Sequence, residues 1–75
     1  TILWPAGAIL MLTLRVNGSE QSLPAPLTVA GLLAYLGHDP RKVAVEVNEA
    51  VVPARLHGER GLASGDRVEI VTLVG

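Results

Sequence analysis

Three stretches of this chain alternate apolar and polar residues with a period of two, and only one has the period of a helix; that ratio constrains the fold most. Leu12, Leu14 and Val16 alternate with Thr13 and Arg15, and Val43, Val45 and Val47 with Ala44 and Glu46. Near the end, Val68, Ile70, Thr72 and Val74 face one way, and Arg67, Glu69, Val71 and Leu73 the other. A period of two marks a strand with one buried face. Helical spacing occurs only after Thr28, a good N-cap, where Val29, Leu32, Leu33 and Leu36 recur at intervals of three and four. Gly37 suits the left-handed residue that closes a helix, and Pro40 prevents its resumption. Gly31, inside the helix, predicts close packing against the sheet.

The turns order these pieces. Asn17-Gly18 accepts the positive φ angles of a tight hairpin, which returns along residues 20–23 until Pro24 and Pro26 end ladder bonding. Asn48, Glu49 and Ala50 turn the third strand into Val51 and Val52, closed by Pro53. Residues 54–61 (ARLHGERG) are polar and broken by glycine, which predicts a surface crossing with one helical turn. Ser64-Gly65-Asp66 is a turn into the last strand. Hairpin, helix, strand, short strand and last strand give a two-layer α+β domain with one helix on one face of the sheet.

Composition removes several functions. A chain of 75 residues has a core too small to enclose both a substrate pocket and a full catalytic set. The basic residues Arg15, Arg41, Lys42, Arg55, Arg60 and Arg67 are dispersed, and Trp4 and Tyr35 are the only aromatics, so nucleic acid is not expected as a partner. Without cysteine there is no disulfide and no thiolate metal site, which suits a cytoplasmic protein. His38 and His57 lie in loops with no thiolate to complete a zinc site. Ser64, His57 and Asp66 make a triad only on paper, since the first and last belong to a turn. Glu46, Glu49 and Glu69 read as solvent-facing, and no glycine-rich loop has phosphate-cradling spacing.

Residues 1–10 (TILWPAGAIL) are apolar, but they lack a positive start and are too short to span a membrane. We expect an extension outside the domain of residues 11–75, a tag or the product of an upstream start; the other reading is that its apolar side chains cover a surface of this molecule or a neighbour. At the far end, an apolar strand stops at Gly75, whose missing Cβ lets a tail enter a narrow channel.

LASGDRVEIVTLVG at residues 62–75, with LRVNG at 14–18, TVAGLLAYL at 28–36 and VAVEVNEAVVPA at 43–54, resembles the ThiS family, the sulfur carriers of thiamine biosynthesis. The resemblance implies a ubiquitin-like β-grasp fold with the last strand parallel to the first in the sheet centre. It implies a carrier and not an enzyme: an adenylating partner uses ATP to activate the carboxyl of Gly75, a persulfide donor converts it to a thiocarboxylate, and thiazole synthase takes the sulfur. The chain itself would hold no cofactor. Family members end in Gly-Gly and this chain shows one glycine, so the carrying residue is Gly75 or a glycine following it. Val71, Leu73 and Val74 are the expected partner contacts, with Arg67 and Glu69 at their rim. Two other readings stay open: the sulfur carrier of molybdopterin synthesis, usually longer and richer in phenylalanine, and a ubiquitin-like interaction module without chemistry.

Overall fold

The chain's first turn has the geometry that its sequence demands: Asn17 and Gly18 both take positive φ, 48° and 82°. In the computed structural model, which describes residues 10–74, they join β1 (Met11–Val16) to β2 (Ser19–Pro24) in an antiparallel hairpin. The carbonyl of Leu10 accepts from Ala25 N at 2.7 Å, so this ladder reaches one residue ahead of Met11. The rest of the expected N-terminal extension lies outside the described residues.

A short β3 (Leu27–Thr28) leads into α1 (Val29–Leu36). Thr28 caps it as expected, its hydroxyl accepting from Gly31 N at 3.1 Å, and Gly37 closes it at φ 78°. His38 N reaches back to Leu33 O at 2.9 Å, completing the exit. Gly31 packs closely, but against Leu27 of β3 and not against the main sheet: a Cβ there would stand 3.0 Å from Leu27 Cδ1.

A 3-10 turn at Pro40–Lys42 delivers the chain to β4 (Val43–Val47), which folds back as β5 (Ala50–Val52). That turn needs only Asn48 and Glu49, at φ 52° and 71°, and Ala50 already belongs to the returning strand. After a second 3-10 turn at Ala54–Leu56 come β6 (Gly61–Leu62) and β7 (Arg67–Thr72). The five-stranded sheet has the order β2-β1-β7-β4-β5, with β7 parallel to β1 and antiparallel to β4, which is the β-grasp arrangement. Leu12, Leu14, Val16, Val43, Val45, Val47, Val68 and Ile70 from its inner face meet Val29, Leu32 and Leu33 of α1 in one core.

The crossing at residues 54–61 runs over the surface with one helical turn, Ala54–Leu56, as expected, but one side chain in it turns inward. His57 is only 4% exposed, with Nε2 3.1 Å from Val52 O, so the ring carries its proton on Nε2 and donates to that carbonyl. Its Nδ1 is buried without a partner among the described residues. The cause is the helix start, whose first amides must be satisfied. Val29 N donates to Arg60 O at 3.0 Å and Ala30 N to His57 O at 2.9 Å, and Leu27–Thr28 pairs with Gly61–Leu62 in a second, two-stranded sheet. The crossing is thus the cap of α1, and polar composition alone concealed it.

Glu49 is a long side chain in a left-handed conformation where glycine carries no Cβ penalty. Its ion pair with Arg67 spans 3.6 Å between exposed groups and contributes little. Glu49→Gly should therefore stabilise the domain by about 0.5–1 kcal/mol. Thermal unfolding checks this: a Tm rise of roughly 3–6 °C is expected, and a fall would contradict the strain.

Candidate functional site

Everything that the sequence marks as functional lies on β7 and just after it, so the site depends on how that strand is held. Its entry is a dense polar turn with Gly65 at φ 94°. Ser64 Oγ accepts from Thr13 N at 3.0 Å; Asp66 accepts from Ala63 N at 2.9 Å and from Asn48 Nδ2 at 3.0 Å. Both residues are occupied in fixing the turn, and His57 is bonded elsewhere to Val52 O. No Ser-His-Asp site is assembled.

Along β7 both edges are paired, but to different heights. On the β4 side the ladder runs from Val47↔Val68 to Val43↔Thr72, and Leu73 N adds a bond to Lys42 O at 2.7 Å. The Pro40–Lys42 turn that carries this acceptor is fixed by Asp39, whose carboxylate accepts from the side chain and backbone of Arg41; those bonds hold it below the usual carboxyl range. On the β1 side, strand pairing stops at Val16↔Val68. Asn17 then extends the contact: its backbone N donates to Val68 O at 2.8 Å, its Oδ1 accepts from Ile70 N at 2.7 Å, and its Nδ2 donates to Ile70 O at 3.1 Å.

Alternation along residues 68–74 assigned Thr72 and Val74 to the core face. The structure corrects this. β7 ends at Thr72, which is exposed although it still pairs with Val43, and Val74, beyond the last ladder pair, is 99% exposed. Val71 and Leu73 stand 53% and 54% exposed, and Arg67 and Glu69 are exposed as expected. Val71, Leu73 and Val74 thus gather at the tail end, whereas Arg67 lies about 20 Å away at the strand's start. Gly75 lies outside the described residues.

The outer sheet face also shows a pattern that sequence reasoning missed. Glu69 sits directly opposite Glu46, which in turn faces Val51, and Val71 faces Ala44 in the next row towards the tail. Glu46 is half-buried where full exposure was expected. Two carboxylates side by side destabilise a sheet. At the other end Arg15 and Arg67 are neighbours in the parallel ladder. With Thr13, Leu14, Glu20 and Gly65 they line a depression of about 340 Å³, far from the tail. Among the described residues no group of three or more acidic, histidine or cysteine side chains could hold a metal, and no helix is long and apolar enough to cross a membrane. The paired glutamates could not be read from sequence because the register of β4 on β7 is not local information.

Comparison with known proteins agrees with this geometry. The sequence model of the ThiS family matches residues 13–75. A protein of Paramagnetospirillum magneticum named thiazole synthase is 44% identical over 62 residues, which cover 83% of this chain but only 19% of that protein. An uncharacterized protein, ycf40, of Porphyra purpurea is 33% identical over 64 residues, 85% of this chain and 90% of its own length. Among solved structures, the thiamine biosynthesis protein ThiS of Geobacter metallireducens superposes with a TM-score of 0.76 at 28% identity, covering 85% of this chain and 97% of that one. The chain spans about a fifth of the thiazole synthase that it matches.

Because Val71 and Leu73 are half in solvent and bury little against this domain, each change to serine should alter stability by less than about 0.5 kcal/mol. Denaturant unfolding measures this, and a loss of more than about 1.5 kcal/mol would show that they belong to the core.

Proposed function

The chain belongs to the ThiS family, and on that footing we propose that it is a sulfur carrier of thiamine biosynthesis, a co-substrate of partner enzymes and not itself an enzyme. The observation that carries the reading is the end of β7. A central strand held on both edges gives way to Leu73, half exposed and tethered only through its backbone, and to the fully exposed Val74, just before Gly75. Such an arrangement offers a carboxyl group to another protein's active site while leaving no reacting group inside its own body.

The chemistry follows from the carboxyl group. It is a poor acyl donor until one of its oxygens attacks the α-phosphorus of ATP in an adenylating partner, with loss of pyrophosphate. A persulfide sulfur then attacks the acyl carbonyl and AMP leaves; a second thiol cleaves the sulfur–sulfur bond, leaving a thiocarboxylate on the chain and a disulfide on the donor. The sulfur passes from there to thiazole formation. With no cysteine in the chain, the only place it can carry sulfur in this scheme is that carboxyl group. Gly75, or a glycine following it, is the carrying residue.

Thiazole synthase is the proposed acceptor. A segment like this chain occurs within proteins that bear that name, which supports pairing the two activities. For docking, Val71, Leu73 and Val74 supply apolar contact, and Glu69 with Glu46 supplies negative charge that a basic group on the partner would neutralise. Arg67 stands at the far rim. The proposed setting is the cytoplasm.

ATP–pyrophosphate exchange tests the assignment. Exchange by the adenylating enzyme should depend on this chain and disappear when Gly75 is replaced by tryptophan, with the far-UV spectrum and Tm unchanged. Val71→Ser with Leu73→Ser should raise KM for the chain about tenfold or more, since truncating well-packed contacts typically costs over 1 kcal/mol each. Exchange that is indifferent to Gly75 would remove the carrier role.

A further inference from the structure

Asn17 does more than turn the first hairpin. At φ 48° its main chain bends away from β7. Its own N–H still reaches Val68 O at 2.8 Å, but no backbone group of β1 remains to serve Ile70. The side chain takes that place. A primary amide presents one acceptor and one donor, as a peptide does, and here Oδ1 accepts from Ile70 N at 2.7 Å while Nδ2 donates to Ile70 O at 3.1 Å. Both bonds are partly buried, where a hydrogen bond is screened least by water. They carry the pairing of the β1 edge one step beyond the last paired backbone residue, to within three residues of Leu73.

We infer that Asn17 is a positioning residue for the C-terminal tail, its side-chain amide fixing the direction in which residues 71–74 leave the sheet. On the opposite edge the last tether is Leu73 N to Lys42 O at 2.7 Å. A strand end held on one edge only can swing about that edge; held on both, it has one direction. Turn formation does not require the amide, because glycine adopts positive φ at least as readily. Nor does the core, since Val68 and Ile70 are buried by the inner layer regardless.

The inference rests on the carrier reading. A tail that must thread a partner's channel binds only in the fraction of molecules in which it points correctly, so the apparent affinity falls with that fraction. Once the tail is inside, Asn17 has no part in the chemistry. Losing the amide should therefore raise KM and leave kcat alone.

The test uses the full chain and ATP–pyrophosphate exchange by the adenylating enzyme. Asn17→Gly keeps the turn and removes both bonds. Its Ile70 amide should exchange with solvent deuterium about tenfold faster, and KM for the chain should rise about tenfold with kcat within about twofold of wild type. Asn17→Asp keeps the acceptor and turns the donor into a repelling oxygen, so it should show the same split; it serves if the glycine variant does not fold. Thr28→Ala, which loses the helix cap, separates positioning from general stability: its Tm should fall while KM stays put. If the Ile70 amide is freed and KM does not move, the tether exists but does not aim the tail, and the inference is overturned. If wild type itself supports no exchange, the carrier role falls first and this inference with it. If Thr28→Ala raises KM as much as Asn17→Gly, the effect is one of stability and positioning is refuted.

Discussion

A short parallel contact holds this protein together. β1 and β7 pair only at Arg15↔Arg67 and Val16↔Val68, yet this contact joins the hairpin of β1 and β2 to the hairpin of β4 and β5. Parallel pairing of Val16 with Val68 closes everything between them as one loop and is entropically costly. The structure reinforces it with the turn asparagines of both hairpins. Asn17 reaches Ile70 from one side, and from the other Asn48 accepts from Arg67 N at 2.9 Å and donates to Asp66 at 3.0 Å. Each asparagine occupies a positive φ, so that where its backbone departs its side chain continues the pairing. β7 is thereby gripped at both ends by residues that also build the turns.

The body behind this strand is economical. Among the described residues the core is made of valine, leucine and isoleucine without an aromatic ring, and the one buried polar residue, His57, belongs to the segment that caps the helix. On its outer face β7 sets Arg67 beside Arg15 and Glu49 at its start, Glu69 beside Glu46 in its middle, and Val71 and then Leu73 where the chain leaves the sheet. Such a layout gives a partner an orientation as well as an attachment, since a charged start and an apolar exit distinguish the two ends of the strand.

What could be read from the sequence was what local chemistry dictates. Asn17-Gly18, Thr28, Gly37 and Ser64-Gly65-Asp66 each announce their geometry through side chains or missing side chains, and period two against period 3.6 settles which pieces are strands. The parallel partner of β7 was reached only through family resemblance, because register between distant strands leaves no periodic trace. The same reason hid the second sheet of β3 and β6, the burial of His57 and the facing pair Glu46 and Glu69. The end of β7 was misjudged for a related cause: alternation continued through Thr72 and Val74, but burial stopped at Ile70, one inward position before the ladder with β4 ends at Thr72. Of the site, the apolar tail was legible and the amide that steadies it was not, because Asn17 explained itself too well as a turn.

The proposed carrier role requires that a carboxyl group on Gly75, or on a glycine following it, be remade by other proteins while the domain stays folded. The most direct measurement is the intact mass of the chain, followed by tail peptide sequencing, after incubation with ATP, the adenylating enzyme and a persulfide donor. The account predicts replacement of a single oxygen by sulfur, located on the terminal glycine and lost on transfer to thiazole synthase. A chain of unchanged mass, or a modification elsewhere in the sequence, would contradict it.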